Sequence, residues 1–323
     1  MLAPLLDFGI SPLAAFTWVA LFLWLFLCGA WAVLRPATTV RARAVAALLG
    51  ALAPILCPSR GVASTFLTGL AVVFAARLPD LERERLKKSK AELFLWLFVP
   101  VLRGYPKSPE ARAQNRKSAR ASFLEAAVTY SVWLVIAALL DFGDPPSWHW
   151  LLRSTILILY FVLTITSLEA LLRGLVELSG ARTDRLFEQP LLATSLRDFW
   201  GRRWNRFIAR FALRYIALRQ SSKTSGVRTV LIVFFWSALF HEYFAWGASG
   251  NAARPGMMLL FFLIQGAGLL VAERIALRIP RALGTTFTAL WMIVTSPLFF
   301  ASLHPPLIDL GYPASRLIQL RAP

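Results

Sequence analysis

LAAFTWVALFLWLFLCGAWAVL, Leu13 to Leu34, runs for 22 residues without a charge. As a helix it reaches roughly 33 Å, enough to cross a hydrocarbon core of about 30 Å. This stretch decides the fold class, because the chain repeats it. Apolar runs follow at 44–57, 61–76, 123–140, 151–172, 227–247, 256–272 and 284–303. They predict an all-α polytopic membrane protein with about eight transmembrane helices. The runs at 44–57 and 61–76 hold only 14 and 16 residues and are separated by Pro58-Ser59-Arg60. They predict two short spans or a tight helical hairpin. Pro297 predicts a kink in the last span. An outer-membrane barrel is excluded, since its short alternating strands are missing from the pattern.

The composition agrees. The 323 residues are 57% hydrophobic, against roughly 45–50% in soluble chains, and the mean hydropathy is +0.60. The formal net charge of +18 would suggest nucleic acid in a soluble protein. Here the charge sits in loops instead, and no nucleic-acid partner is expected. Residues 77–121 carry twelve Lys and Arg against five acids, and 173–228 carry twelve against four. These two segments hold 24 of the 35 basic residues. With eight spans they fall on one side together with the basic loops 35–43 and 273–283. The positive-inside rule then puts them in the cytoplasm and both termini outside. Within the first basic segment, the apolar patch Leu93 to Leu102 is interrupted by Pro100 and is too short to span. It predicts an in-plane or re-entrant element. Cys28 and Cys57 lie in apolar runs without a C-x-x-C motif and read as small core residues. The N-terminus has neither a basic n-region nor a small-residue cleavage site, which argues against a cleaved signal peptide. No internal repeat or linker divides the chain, so residues 1–323 are expected to form one domain. Alanine- and arginine-rich composition points towards a bacterial inner membrane.

One polar stretch stands apart. Ser195 to Gln220 reads SLRDFWGRRWNRFIARFALRYIALRQ. Drawn as one helix, it puts Arg202, Arg206, Arg210 and Arg214 on one face. Trp200, Trp204, Phe207, Phe211, Tyr215 and Leu218 fall on another. Two readings stay open. The stretch is an interfacial helix with its arginines on anionic lipid, or it is an anion site beside an active site. Its first turn favours the second. Phe199-Trp200-Gly201-Arg202-Arg203-Trp204-Asn205 puts a glycine and an asparagine among three large rings. A surface helix has no need of Gly201, which costs it about 1 kcal/mol against alanine.

The chain has three histidines. His149 lies between two tryptophans and His304 follows the last apolar run, and both read as structural. His241 lies inside a span with Glu242 beside it. An ionisable pair in a membrane is costly and marks function by default. Other chemistries fail on the residues. Ala245 stands where an H-E-x-x-H zinc motif needs histidine. Neither a G-x-S-x-G elbow nor a P-loop or G-x-G-x-x-G pattern is present. Three scattered histidines make no metal site. A membrane histidine base, a basic cytoplasmic face and an apolar interior suit acyl transfer from acyl-CoA to an apolar acceptor.

Pro190 to Asn205, PLLATSLRDFWGRRWN, resembles the signature of the wax-synthase-like branch of the membrane-bound O-acyltransferases. In that branch a similar S-L-x-x-F-W-G-x-R-W block precedes a membrane helix with histidine in an S-x-x-x-H-E pattern, here Ser237 through His241-Glu242. The best-matched core is 185–247. The resemblance implies a multi-helix fold around a tunnel, with acyl-CoA entering from the cytosol as co-substrate and a lipophilic alcohol arriving from the bilayer lipid. Neither a further cofactor nor a metal is implied. His241 would be the general base, and Asn205 a positioning or oxyanion group. Arg202 and Arg203 would hold the CoA phosphates or else brace Asp198. Trp200 and Trp204 would line the tunnel or simply pack. Phe199, Ser195, Asp198 and Glu242 complete the candidate substrate-binding set. A wax ester is the expected product, with a sterol, glycolipid or secondary metabolite as other acceptors. The reading from another class is a transporter or lipid-binding protein with a His241-Glu242 proton relay.

Overall fold

The computed structural model describes residues 12–35, 39–56, 62–142, 147–217, 226–249, 254–275 and 280–309. Its elements run α1 (Pro12–Leu34), α2 (Val40–Ile55), α3 (Val62–Arg77), α4 (Leu81–Arg85), α5 (Lys90–Phe98), β1 (Leu102–Gly104), α6 (Pro109–Phe142), α7 (Trp150–Leu178), β2 (Arg182–Thr183), α8 (Leu196–Asp198), α9 (Arg206–Ala212), α10 (Gly226–Ser249), α11 (Met257–Ile275) and α12 (Arg281–Asp309). Among the described residues, seven helices are long and apolar enough to cross a membrane, within residues 16–34, 64–85, 109–140, 150–178, 226–247, 257–275 and 281–303. The chain is an all-α, multi-pass integral membrane protein.

The expected eighth span is α2. Its 16 residues contain Pro54 and reach about 24 Å, short of the bilayer core. It packs on α3 instead, which is the hairpin alternative. The last span also differs from expectation. It runs on past Leu303 to Asp309, so the backbone of His304 lies inside α12; the His304 side chain and the proline-rich tail after Asp309 lie outside the described residues. Cys57 and the Pro58-Ser59-Arg60 break lie outside them too.

The chain groups into two compact units: 1–99 with 246–250, and 100–245 with 251–323. In the first unit, residues 93–98 of the apolar patch fall in α5, a nine-residue helix capped by Ser89, whose Oγ accepts the Glu92 N–H. Phe98 closes it against Phe26 and Phe74, with ring centroids 5.0 and 5.4 Å away. Arg85 donates to the carbonyls of Val33 (2.6 Å) and Ala32 (2.8 Å). These carbonyls have no partner in the helical ladder at the end of α1, so a basic residue closes an apolar span.

In the second unit, α6 and α7 form a long hairpin in which Gly174 lets the Phe123 ring approach closely. Two acids at the ends of these spans are paired. Glu125 accepts from Arg173 (2.6 Å) and Arg185 (2.7 Å), and Glu169 accepts the Leu186 N–H (3.2 Å). Glu177 accepts from Ser122 (2.7 Å) and Thr183 (2.5 Å). β1 and β2 pair antiparallel, Leu102 opposite Thr183. Together these contacts pin the start of the second basic segment to α6 and α7. The core behind it is apolar and aromatic, including Leu157, Leu196, Phe234, Phe261, Phe262 and Phe300. Ala238 and Ala245 of α10 are fully buried in it, small residues of the kind that let membrane helices approach.

Candidate active site

The polar stretch is not one helix. Ser195 opens α8 as its cap: its Oγ accepts the Asp198 N–H (3.0 Å), while Asp198 Oδ2 accepts the Thr194 N–H (3.1 Å). The Asp198 carboxylate thus reaches back one residue beyond the cap, where a capping box would take the N–H of Ser195 itself. Phe199–Arg203 then forms a π-helical turn, closed by the Trp204 N–H on the Phe199 carbonyl (2.8 Å). Such turns recur at functional sites. Trp204 is extended, and Asn205 is left-handed at φ 38°, ψ 61°. Its Oδ1 accepts the Ile208 N–H (3.3 Å) and so starts α9. The single-helix drawing of Ser195–Gln220 is corrected at Trp204-Asn205. Leu213–Ala217 forms a second π-helical turn, and residues 218–220 lie outside the described chain.

The proposed cationic face is also corrected. Arg202, Arg206 and Arg210 pair with Asp198, Glu188 and Asp184, acids from the preceding loop and from α8. The arginines therefore tie two parts of one segment together. Arg203 is the most committed. Its Nε donates to Asp198 (2.7 Å), and its Nη1 lies 3.3 and 3.2 Å from the carbonyls of Glu188 and Gln189. Arg202 gives Asp198 only its Nε, at 3.1 Å, and its side chain is 75% exposed. The structure thus shows both arginines bracing Asp198, and of the two only Arg202 stays open to solvent.

Burial would raise the pKa of Asp198. The hydrogen bonds from Arg203 and Thr194 and the charge of Arg202 outweigh this and hold it below the ordinary 3.8. A depressed pKa means stability that is present above the ordinary value and lost as pH falls through the folded one. Removing the carboxylate leaves Arg203 half-buried without its partner. Asp198→Ala should cost roughly 3 kcal/mol, the range for breaking a buried pair. Thermal unfolding of the purified protein in detergent checks this, and the gap between the two chains should shrink below pH 4.

An open cleft of about 500 Å³ is lined by Glu188, Gln189, Thr194, Asp198, Arg202, Arg203 and Arg281. Arg281 arrives from the start of α12. It can do so because a Cβ on Gly284 would lie 2.3 Å from the Thr194 carbonyl oxygen. Only glycine allows this backbone contact. By contrast, a Cβ on Gly201 would meet nothing within 4 Å, and neither packing nor backbone conformation explains that glycine.

His241 lies on α10, half-buried. Its Nδ1 is 2.7 Å from the Ser237 carbonyl. A carbonyl only accepts, so Nδ1 carries the proton, and in the neutral ring it is Nε2 that holds the lone pair. Phe262 of α11 lies against the ring, centroids 4.2 Å apart. Phe262 in turn meets Trp200 at 5.5 Å, so Trp200 and His241 both contact one phenyl ring. Glu242 turns elsewhere: its Oε1 accepts the Leu259 N–H (2.9 Å) at the start of α11. Trp204 stacks on Phe199 at 5.2 Å and meets Phe187 edge-on. Asn205 and His241 share no hydrogen bond among the described residues, and His241 does not line the arginine cleft. Sequence reasoning missed Arg281, whose place depends on Gly284. It also missed Gln265, a lone amide in an apolar span, although that polarity was a readable signal.

Comparison with known proteins falls on the same segment. Residues 183–264 match the family model described as membrane bound O-acyl transferase family. This range holds the π turn, Asn205, His241 and Phe262. The likeness to that family is confined to this segment, about a quarter of the chain. It is 34% identical over 144 residues to probable long-chain-alcohol O-fatty-acyltransferase 7 of Arabidopsis thaliana, covering 42% of this chain and 40% of the relative. It is 30% identical over 152 residues to acyl-CoA–sterol O-acyltransferase 1 of the same plant, covering 43% of each. To the long-chain-alcohol O-fatty-acyltransferase of Simmondsia chinensis it is 36% identical over 93 residues, covering 25% of each. Each match spans less than half of the relative's own length.

Proposed function

We propose that the chain is an acyl-CoA-dependent O-acyltransferase that esterifies a lipophilic alcohol by direct transfer, with His241 as general base. One observation carries the reading. The histidine in the family-matched segment has its Nδ1–H bound to the Ser237 carbonyl, so its Nε2 is the basic atom. The alcohol gives its proton to Nε2 as its oxygen attacks the thioester carbonyl carbon. The carbonyl electron pair moves to oxygen, then returns as the C–S bond breaks. The CoA thiolate leaves and takes the proton from the imidazolium. Ester and CoA thiol are formed, and the ring is neutral again.

Asn205 has an amide N–H₂ beyond its helix-capping oxygen, and this group donates to the oxyanion or positions the alcohol. Arg202 and Arg281, at the exposed side of the cleft, take CoA phosphates through their planar forks. Arg203, Asp198 and Ser195 hold the turn that carries them. Phe199, Trp200 and Trp204 form an apolar wall for the acyl chain. The basic segments face the cytosol, where acyl-CoA is made, and composition favours a bacterial inner membrane. A proton relay through Glu242 has no observation in its favour, since that carboxylate caps α11.

Relatives named for long-chain alcohols and for a sterol define the acceptor test. Purified protein is given labelled acyl-CoA with a panel of primary alcohols, a sterol and a glycolipid. Ester with the long-chain alcohol is the expected result. Ester with the sterol alone would move the acceptor class, and no ester with any of them would overturn the reading.

A further inference from the structure

Gln265 is fully buried in α11, inside a membrane span. Its Oε1 lies 3.4 Å from the indole Nε1 of Trp200 and 3.1 Å from that of Trp291, and its Nε2 lies 2.8 Å from the Thr295 hydroxyl. The Thr295 hydroxyl donates in turn to the Trp291 carbonyl (2.8 Å). Only one arrangement of protons satisfies this network. An indole can only donate, so the amide oxygen must face both rings. The amide nitrogen then faces Thr295, whose own proton is used on Trp291. A buried polar network satisfied in this way is rigid and specifies one packing.

What it holds is close to the base. Trp200 belongs to the π turn, and its ring meets Phe262, which lies 4.2 Å from the His241 ring. Trp200 also meets Phe234 of α10 edge-on at 5.7 Å. Phe234 sits on the same helix as His241, two turns before it. A Cβ on Gly266, next to Gln265, would lie 3.1 to 3.3 Å from Cβ, Cγ and Cδ2 of Phe234, so the glycine keeps that contact from being tight. Three elements, the π turn, α11 and α12, are thus locked through one amide, and α10 carries the base against the locked rings.

We infer that Gln265 is a positioning residue for His241, acting through Trp200 and Phe262. The inference rests on the reading of His241 as base. Without the amide oxygen, Trp200 keeps a buried indole N–H with no acceptor, and the ring turns to find one. Phe262 then loses its support, and Nε2 shifts relative to the acceptor hydroxyl. Gln265→Leu keeps the volume and removes the hydrogen bonds. Gln265→Glu restores them, because a protonated carboxyl in an apolar site has one acceptor and one donor in the same places.

The test measures turnover and His241 reactivity in Gln265→Leu, Gln265→Glu, Trp200→Phe and the Gln265→Leu/Trp200→Phe double variant. Gln265→Leu is expected to lower kcat roughly 10- to 100-fold, the scale for a misplaced catalytic group. Gln265→Glu should recover most of that loss. In the Trp200→Phe background, which lacks the indole N–H, Gln265→Leu should change kcat by less than about twofold, because the two act as one unit. Independently of turnover, the carbethoxylation rate of His241 by diethyl pyrocarbonate, followed on its peptide, should change severalfold in Gln265→Leu but not in the Trp200→Phe background. Unchanged kcat and carbethoxylation in Gln265→Leu, or losses that add fully to those of Trp200→Phe, would overturn the inference. Should His241→Ala retain activity, the base reading fails by itself, and the carbethoxylation rates still decide whether Gln265 positions the ring.

Discussion

Replacing His241 by alanine is expected to lower ester formation about 10²- to 10⁴-fold, the usual contribution of a positioned general base. The fold should survive. Among the described residues the imidazole makes one hydrogen bond, to the Ser237 carbonyl one turn earlier on the same helix, and it is half-buried. Loss of that bond is worth about 1 kcal/mol. The neighbouring Phe262 stays held by Trp200 and Phe261. The loss should therefore appear in kcat, with KM for acyl-CoA nearly unchanged, because the thioester is not bound by the base. Turnover at saturating acyl-CoA and alcohol checks this. A His241→Ala chain with full turnover would remove the histidine from the chemistry.

The second large effect concerns Asn205. Its left-handed backbone suits Asn or Asp better than other residues with a side chain. Its Oδ1 caps α9 through the Ile208 N–H. Aspartate keeps both properties, since it ranks with asparagine as a cap. What aspartate lacks is the N–H₂ donor. Asn205→Asp is thus expected to fold and unfold as the parent does, yet to lose roughly 10²- to 10³-fold in kcat, the scale for removing one oxyanion donor. Asn205→Gly separates the roles from the other side. It accepts the left-handed backbone and gives up the cap at a cost of a few tenths of a kcal/mol, and it should be as inactive as the aspartate variant. Steady-state kinetics beside thermal unfolding reads both. Full activity in Asn205→Asp would reduce Asn205 to a helix cap.

Long uncharged runs made the membrane class legible, because bilayer thickness leaves little choice for them. The number of spans was less legible. α2 is apolar enough but too short, and only its packing on α3 shows a hairpin. The block from Ser195 to Asn205 could be found by residue type, but its shape could not. Arginines spaced by four look like one helical face whether or not the backbone continues. An i→i+5 hydrogen bond and a left-handed asparagine leave no periodic trace, and together they break the helix at Trp204-Asn205. The acids that take up those arginines, Asp184 and Glu188, lie upstream in a loop that no helical wheel includes. Glu242 is similar: beside His241 in sequence it reads as half of a pair, while in space it caps another helix. Gln265 was visible as an amide in an apolar span, and what it holds depends on two tryptophans 65 residues before and 26 after it.

Direct transfer from thioester to alcohol is the centre of this account, and a single-turnover experiment tests it most directly. Purified protein in excess over acyl-labelled acyl-CoA is incubated without alcohol, and a long-chain primary alcohol is then added. No label should become attached to protein before the addition. Afterwards ester and free CoA thiol should form in equal amounts, and His241→Ala should form neither. Label bound covalently to the chain before the alcohol arrives, or CoA released without ester, would contradict it.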